Sequence, residues 1–431
     1  MSARRVTAAL AALLACTAAP ALAQTVAITG GKVVIGDGTD PIEGGTVLVQ
    51  NGKVVAAGRD VAIPAGVPTV DAKGKWVTPG LVVAVTDIGL YDVEAVDDSN
   101  DSGADKSPFS ASLDISHAIN PDAQHIKVSR AGGVTRAAIA PIGTDRIFGG
   151  QGAVIDLGDD PDPVVASRAF QYVELGETGA ARAGGSRVAA WAELHNALLE
   201  ARELSLAPAG ARRDDVLLNR RDAQALVPVV TGRQPLYVHV ERAADIRMVL
   251  GLRKEFPLIK LTIVGTTEGW MVAGELAKAG VAVLATPLND LPGSFEKLGA
   301  TQSNVGRMKA AGVKVALGAF FDQPRYAPQY AGNLVSLTKV PGASGLTWNQ
   351  AFAAISSAPA EVMGMGDRFG SLRPGRAGDV VIWDGDPLEV TSGVSKVYID
   401  GVEQSLKNHQ TQLRDRYLNP GEGALPKAYN W

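Results

Sequence analysis

Short runs of apolar residues alternate with helical stretches through the middle of this 431-residue chain, and that alternation limits the folds open to it. The runs lie at 81–85, 137–139, 236–240, 261–264, 281–284 and 313–317, and the helical stretches between them at 187–202, 243–253, 268–279 and 304–311. Strands that are apolar on both faces and alternate with helices belong to a parallel sheet covered on both sides. Over about 290 residues the simplest closed form of such a sheet is a TIM-like (β/α)8 barrel in the α/β class. A doubly wound sheet would call for a glycine-rich phosphate loop after an early strand. The nearest stretch, Gly149-Gly150-Gln151-Gly152, is too short, lacks a following helix and reads as a turn.

The two ends have a different texture. From Thr25 to Val77, apolar and polar residues alternate between turn pairs such as Asp37-Gly38 and Asn51-Gly52, and the same pattern returns from Gly378 to Val402. Short strands punctuated by glycine turns make a small all-β module. Because chain termini often lie close together, the two segments are expected to pair into one composite β-sandwich of residues 24–78 and 367–405, flanking a barrel of 79–366 and followed by a tail of 406–431. The polar stretch 94–127 follows the first barrel strand directly. A loop of that length is expected at the strands' C-terminal face, where barrel active sites form.

The N-terminus reads as a targeting segment. Arg4 and Arg5 precede an apolar run, and Ala21-Leu22-Ala23 closes a secretory signal peptide, residues 1–23, with cleavage expected after Ala23. The run is too short for a spanning helix. Lipidation is an alternative, since Leu13-Leu14-Ala15-Cys16 approximates a lipobox. The expected location is periplasmic or secreted, with no stable membrane span.

Composition excludes further classes. Cys16 is the only cysteine, so zinc ribbons, disulfide frameworks and cysteine nucleophiles are out. A net charge of −4 gives no footprint for nucleic acid. The serine-nucleophile elbow is absent: Gly342-Ala343-Ser344-Gly345-Leu346 has Leu where the final Gly should stand.

Lys75-Trp76-Val77-Thr78-Pro79-Gly80-Leu81 after the first β module, and residues 370–382 with Arg373-Pro374-Gly375-Arg376-Ala377-Gly378-Asp379 before the last, resemble the amidohydrolase superfamily, specifically its secreted imidazolonepropionase-like branch. Ala131-Gly132-Gly133-Val134-Thr135, Thr267-Glu268-Gly269-Trp270 and Asp384-Gly385-Asp386-Pro387 extend the likeness over nearly the whole chain. The resemblance implies a barrel that hydrolyses non-peptide C–N bonds in small amides or cyclic amides, with one or two divalent metals, usually zinc, activating water.

The ligand positions that the resemblance implies are mostly changed. The His-x-His of the first barrel strand is matched by Val85 and Asp87. No Lys lies between Lys127 and Lys254 to bridge two metals. The His of the fifth strand is kept as His239. Gly265 stands where the next His is expected, and Phe320 stands at the catalytic Asp, with Asp322 two residues on.

Three readings follow. In the first, no metal is bound and the chain is a pseudoenzyme, because His239 with Asp87 falls short of the three protein ligands of a catalytic zinc. In the second, Asp87, His239, Glu241 and Asp322, with Glu268 as a further candidate, form a carboxylate-rich site for a harder divalent cation such as Mn²⁺. A regular strand would put Glu241 on the same face as His239. In the third, the barrel binds a small molecule without turnover, with Trp270, Phe320, Phe321, Tyr326 and Tyr330 near its mouth, or the chain joins a homo-oligomer or a hetero-oligomer with an active homologue. Each candidate also has a plain role as a cap, turn or surface pair. Loop residues His117 and His125 are the remaining route to a further ligand, whereas His195 reads as a helix-face residue and His409 as part of a solvated tail.

Overall fold

The computed structural model describes residues 25–93, 96–142, 145–208, 210, 214–320 and 323–418. The expected signal peptide, its cleavage site and Cys16 lie outside these residues, as do Asp322 and Phe321. The first strands are β1 (Val26–Val33), β2 (Ile42–Gln50), β3 (Lys53–Gly58), β4 (Thr69–Asp71) and β5 (Trp76–Pro79). The barrel strands are β6 (Leu81–Thr86), β7 (Val134–Ile139), β8 (Phe148–Asp156), β9 (Val164–Glu174), β10 (Leu236–Val240), β11 (Leu261–Gly265), β12 (Ala282–Ala285) and β13 (Lys314–Leu317). β14 (Val380–Trp383), β15 (Val394–Ile399) and β16 (Val402–Glu403) complete the set.

The end segments join as their alternation predicts. One sheet runs β16-β15-β14-β5-β1-β2-β3, with β4 beside β1, and β14 is antiparallel to β5 in the register Val380 to Pro79 through Trp383 to Trp76. The sheet curls until its β3 edge meets residues 375–378. There the Val54 N–H donates to the Arg376 carbonyl at 2.9 Å and the Gly375 N–H donates to the Val54 carbonyl at 2.8 Å. Satisfying the edge in this way removes a template for unwanted strand pairing.

The second sheet runs β6 to β13 in sequence order. Alternate residues divide its two faces. Ala84, Ala138, Val154, Tyr172, Tyr237 and Leu284 fill the inside of the barrel, while Val83, Ala137, Ile155, Val173, Val238 and Val283 pack outward. Phe170 stacks on Tyr237 with ring centroids 4.2 Å apart, so the barrel axis is a packed core. Between β13 and β6 the seam closes through neighbouring backbone. The Phe320 N–H donates to the Val85 carbonyl at 3.1 Å, and the Leu317 and Val82 N–H groups donate to the Ala354 and Ile355 carbonyls.

Two expectations are corrected here. β8 runs antiparallel to both β7 and β9, so the sheet is not wholly parallel. The Gly149-Gly150-Gln151-Gly152 stretch is the interior of β8, not a turn, because a Cβ on Gly152 would stand 2.1 Å from the Phe170 ring. Small residues let the ring and the strand close on each other.

The antiparallel hairpins carry no crossover helices, and the long loop covers them instead. The Gln151 N–H donates to the Leu113 carbonyl at 2.7 Å, and the Ser110 and Ser112 N–H groups donate to the buried Asp222 carboxylate. This part of the loop therefore lies against the barrel wall rather than over the strands' C-terminal ends. Helices form where the sequence places them, at Arg187–Leu206, Ala243–Glu255 and Asn304–Ala310. The stretch 268–279 splits into a 3-10 turn and the helix Ala273–Ala279.

One ion-pair centre joins the two sheets. Arg136 of β7 donates through Nε and Nη2 to the two carboxylate oxygens of Asp379, at 2.7 and 2.9 Å, and through Nη2 to Asp400 at 2.7 Å. Arg136 and Asp379 are both buried. Removing one partner strands the other charge in a low-dielectric joint, so Arg136→Met should lower the urea-unfolding free energy by about 3–5 kcal/mol. Adding Asp379→Asn to that variant should recover part of the loss.

Candidate active site

The C-terminal ends of β9, β10 and β11 bring one group of charged side chains together. His239 is directly across the parallel ladder from Glu174 of β9, and Glu241 lies one residue beyond the end of β10. His239 Nδ1 lies 2.6 Å from Glu174 Oε1, and its Nε2 lies 3.3 Å from Glu241 Oε1. Lys297 places its Nζ 3.2 Å from the same Glu241 oxygen. The other oxygen of Glu241 accepts from both the N–H and the hydroxyl of Thr267, each at 2.7 Å.

These contacts determine the protonation states. Burial works against a charged imidazole, but the adjacent carboxylates of Glu174 and Glu241 outweigh it and push His239 up to about 10. Burial alone would raise Glu241, yet His239, Lys297 and Thr267 bring it down to about 2. At neutral pH His239 is therefore positively charged and Glu241 negatively charged. Both ring nitrogens lie within hydrogen-bond distance of a carboxylate, so a cation at the ring would have to displace Glu174 or Glu241.

The other candidates divide. His239 and Glu241 meet, as strand alternation suggested. Asp87 follows β6 at the same end of the barrel, half-buried, with its carbonyl accepting from the Leu90 N–H at 3.0 Å. Glu268 is buried as a local brace, accepting from the Ala243 and Gly299 N–H groups at 2.9 Å each. Phe320 stacks on Tyr330 at 5.5 Å. His117 has an 81% exposed side chain beside Asp114, His125 packs on Tyr91 at 4.4 Å, His195 contacts Glu255, and His409 contacts Gln124. Sequence reasoning missed Glu174 and Lys297. Glu174 had a faint signal, a carboxylate ending the stretch Phe170-Gln171-Tyr172-Val173, but Lys297 reaches the centre from a short 3-10 turn.

A model of the amidohydrolase family matches residues 266–403. The chain is 25% identical to the amidohydrolase tasK of Hapsidospora irregularis over 414 residues, covering 84% of this chain and 40% of that protein's length. It is 25% identical to an imidazolonepropionase of Acidiphilium cryptum, covering 82% of this chain and 90% of the relative. The crystal structure of an amidohydrolase from Thermotoga maritima superposes with a TM-score of 0.76 at 26% identity, covering 88% of this chain and 99% of that one. The chain belongs to the amidohydrolase superfamily. Within it the likeness is to the imidazolonepropionases, as the turn and strand motifs indicated.

Amidohydrolases typically use divalent metals, but the residues present here do not fit one. Val85, Gly265 and Phe320 bring no donor where the resemblance implies ligands, and the one histidine left, His239, has both ring nitrogens against Glu174 and Glu241. A Cβ on Gly265 would stand 2.7 Å from His239 Nε2 and 2.9 Å from Glu241 Cδ, so the Glu241 carboxylate fills the room that a side chain from β11 would need. Lys297 adds a fixed cation beside it. Among the described residues no group of three or more His, Cys, Asp or Glu is disposed to hold an ion.

His239→Leu leaves two buried carboxylates facing Lys297 alone and should cost about 3–5 kcal/mol at pH 7. The folded state binds the His239 proton more tightly than the unfolded chain does. This contribution is therefore complete below the ordinary histidine value of 6.5 and is lost as pH rises through about 10. Thermal melts of wild type and His239→Leu should accordingly converge above pH 10.

Proposed function

We propose that this protein is an exported amidohydrolase-fold chain that has given up the metal-dependent hydrolysis of small amides or cyclic amides associated with its superfamily. The observation that carries this reading is the donor set itself: His239 has both ring nitrogens against Glu174 and Glu241, while Val85, Gly265 and Phe320 stand where ligands are expected. His239 and Lys297 occupy the carboxylate oxygens that would otherwise attract a cation. The carboxylate-rich alternative built on Asp87, His239, Glu241 and Asp322 would first have to break these ion pairs.

A partner role is the companion reading. The chain matches 40% of the length of tasK, so its likeness there is to one segment of a longer polypeptide. Beside Lys297, Leu291, Phe295 and Leu298 are well exposed on the connection after β12, with Phe295 at 84%. Apolar side chains grouped at a barrel mouth suit contact with another protein.

The test is elemental analysis of the mature protein after exposure to excess zinc and manganese and then desalting, together with assays on small cyclic amides. Less than about 0.1 metal per chain and no turnover above a buffer blank are expected. One metal per chain, lost in His239→Ala, would overturn the metal-free reading. Native mass spectrometry of material purified from its host should show a second component under the partner reading, and a lone monomer would count against it.

A further inference from the structure

The opposite end of the barrel carries charge without partners. A cavity of about 790 Å³ opens where β10 to β13 begin, lined by Arg233, Arg253, Lys260, Lys309 and Lys314 against the single carboxylate of Glu361. The chain as a whole has more acidic than basic residues, 45 against 41, so five cations to one anion is a local concentration. Lys260, Lys309 and Lys314 are exposed, and none forms a side-chain ion pair or hydrogen bond among the described residues. Arg253 spends one donor on the Ala279 carbonyl at 2.6 Å, and Arg233 spends one on Thr231.

The ladder shows why the cations converge. Lys260 immediately precedes β11 and Lys314 opens β13, with β12 between them, so the two lie two strands apart, roughly 10 Å across the ladder, and two residues out of register. The intervening strand arrives through Gly280-Val281-Ala282, which brings no polar side chain. A Cβ on Gly280, which lines the cavity, would meet nothing within 4 Å, so this part of the cavity wall is open. Like charges around a concavity focus potential into it and raise the local concentration of counter-ions. Lysine ammonium groups on flexible stems suit a compact, multiply charged oxyanion.

We propose that this cavity is a binding site for a phosphate-bearing ligand, with Lys260 and Lys314 on opposite sides of the anion and Arg233, Arg253 and Lys309 around its rim. The same chemistry is offered by a free phosphorylated small molecule and by a phospholipid headgroup, which the exposed Leu258 beside Lys260 would accompany into a bilayer surface. The site is independent of the His239 centre at the other end of the barrel.

The experiment uses the full mature chain and pyrophosphate as probe. Isothermal titration at low salt should give saturable binding at one site. Lys260→Ala/Lys314→Ala should weaken it at least tenfold, while Lys53→Ala/Lys73→Ala, an equal charge change on the other sheet, should leave it unchanged. Binding only to phosphatidylglycerol vesicles, lost in the same double variant, would support the proposal with a lipid headgroup as source. No saturable binding to either probe, or equal weakening in both double variants, would overturn it. All four lysines are on the surface, and circular dichroism should confirm that the variants keep their fold.

Discussion

The bidentate pair between Arg136 and Asp379 ties together segments 243 positions apart, and the two-sheet arrangement depends on it. Asp379 is the last residue before β14, and its position is fixed by the turn that seals the β3 edge. The groups around it serve the same joint. The Gly80 N–H donates to the Asp379 carbonyl at 3.0 Å, and a Cβ on Gly80 would overlap the Thr135 side chain, whose hydroxyl lies 3.4 Å from the Asp379 carboxylate. The Trp383 indole N–H donates to the Thr78 hydroxyl at 2.9 Å across the β14–β5 pair. The Pro-Gly-Leu turn and the Gly-Asp motif, which carry the resemblance to the superfamily, are thus parts of one load path between sheet and barrel. They persist because packing and charge at the joint require them, whatever the barrel mouth does.

That separation leaves the barrel mouth free to vary without loss of the fold. Barrel stability rests on interdigitated side chains along the axis, here Phe170, Tyr172 and Tyr237, and on the outward apolar layer under the helices. Neither needs a metal. Losing ligands one at a time would nevertheless leave buried carboxylates uncompensated, and each such charge costs several kcal/mol. Glu174 and Glu241 escape that cost because His239 lies between them and Lys297 lies alongside Glu241. The Tyr172 hydroxyl, 3.5 Å from Glu174, and the Thr267 N–H and hydroxyl on Glu241 absorb much of the remaining hydrogen-bonding demand.

What could be read from the chain alone follows the range of the interactions. The barrel, the composite sheet and three of the helices were legible because strand and helix periods are local properties, and His239 and Glu241 were placed on one face by the same rule. The antiparallel β8 was not, since a glycine-rich strand interior looks like a turn until Phe170 is known to press on Gly152. Glu174 could be seen as a carboxylate at a strand end, but its partner is set by register between strands 65 residues apart. Lys297 gave no signal, because an irregular connection has no period to read. The direction of the long loop was misjudged for a related reason. Its serines are caught by Asp222, which covers the wall left bare where hairpins replace crossover helices.

The two ends of the barrel therefore divide their charges in an unusual way. In barrel enzymes the C-terminal face holds reactive, partly unsatisfied groups, while the N-terminal face serves stability. Here the C-terminal group at His239 is closed on itself, with each charge matched within about 3.3 Å, and a new ligand would have to displace an existing partner. At the N-terminal face three lysines stand around a cavity with no partner among the described residues. An unpaired exposed lysine is ordinary alone, but several converging on one concavity repel one another and destabilise the folded state unless a counter-ion is present. A sequence under selection for stability alone would relieve that repulsion with a carboxylate or two. The surface charge thus points to a ligand at the N-terminal end, while the paired charges at the C-terminal end leave little for one to bind.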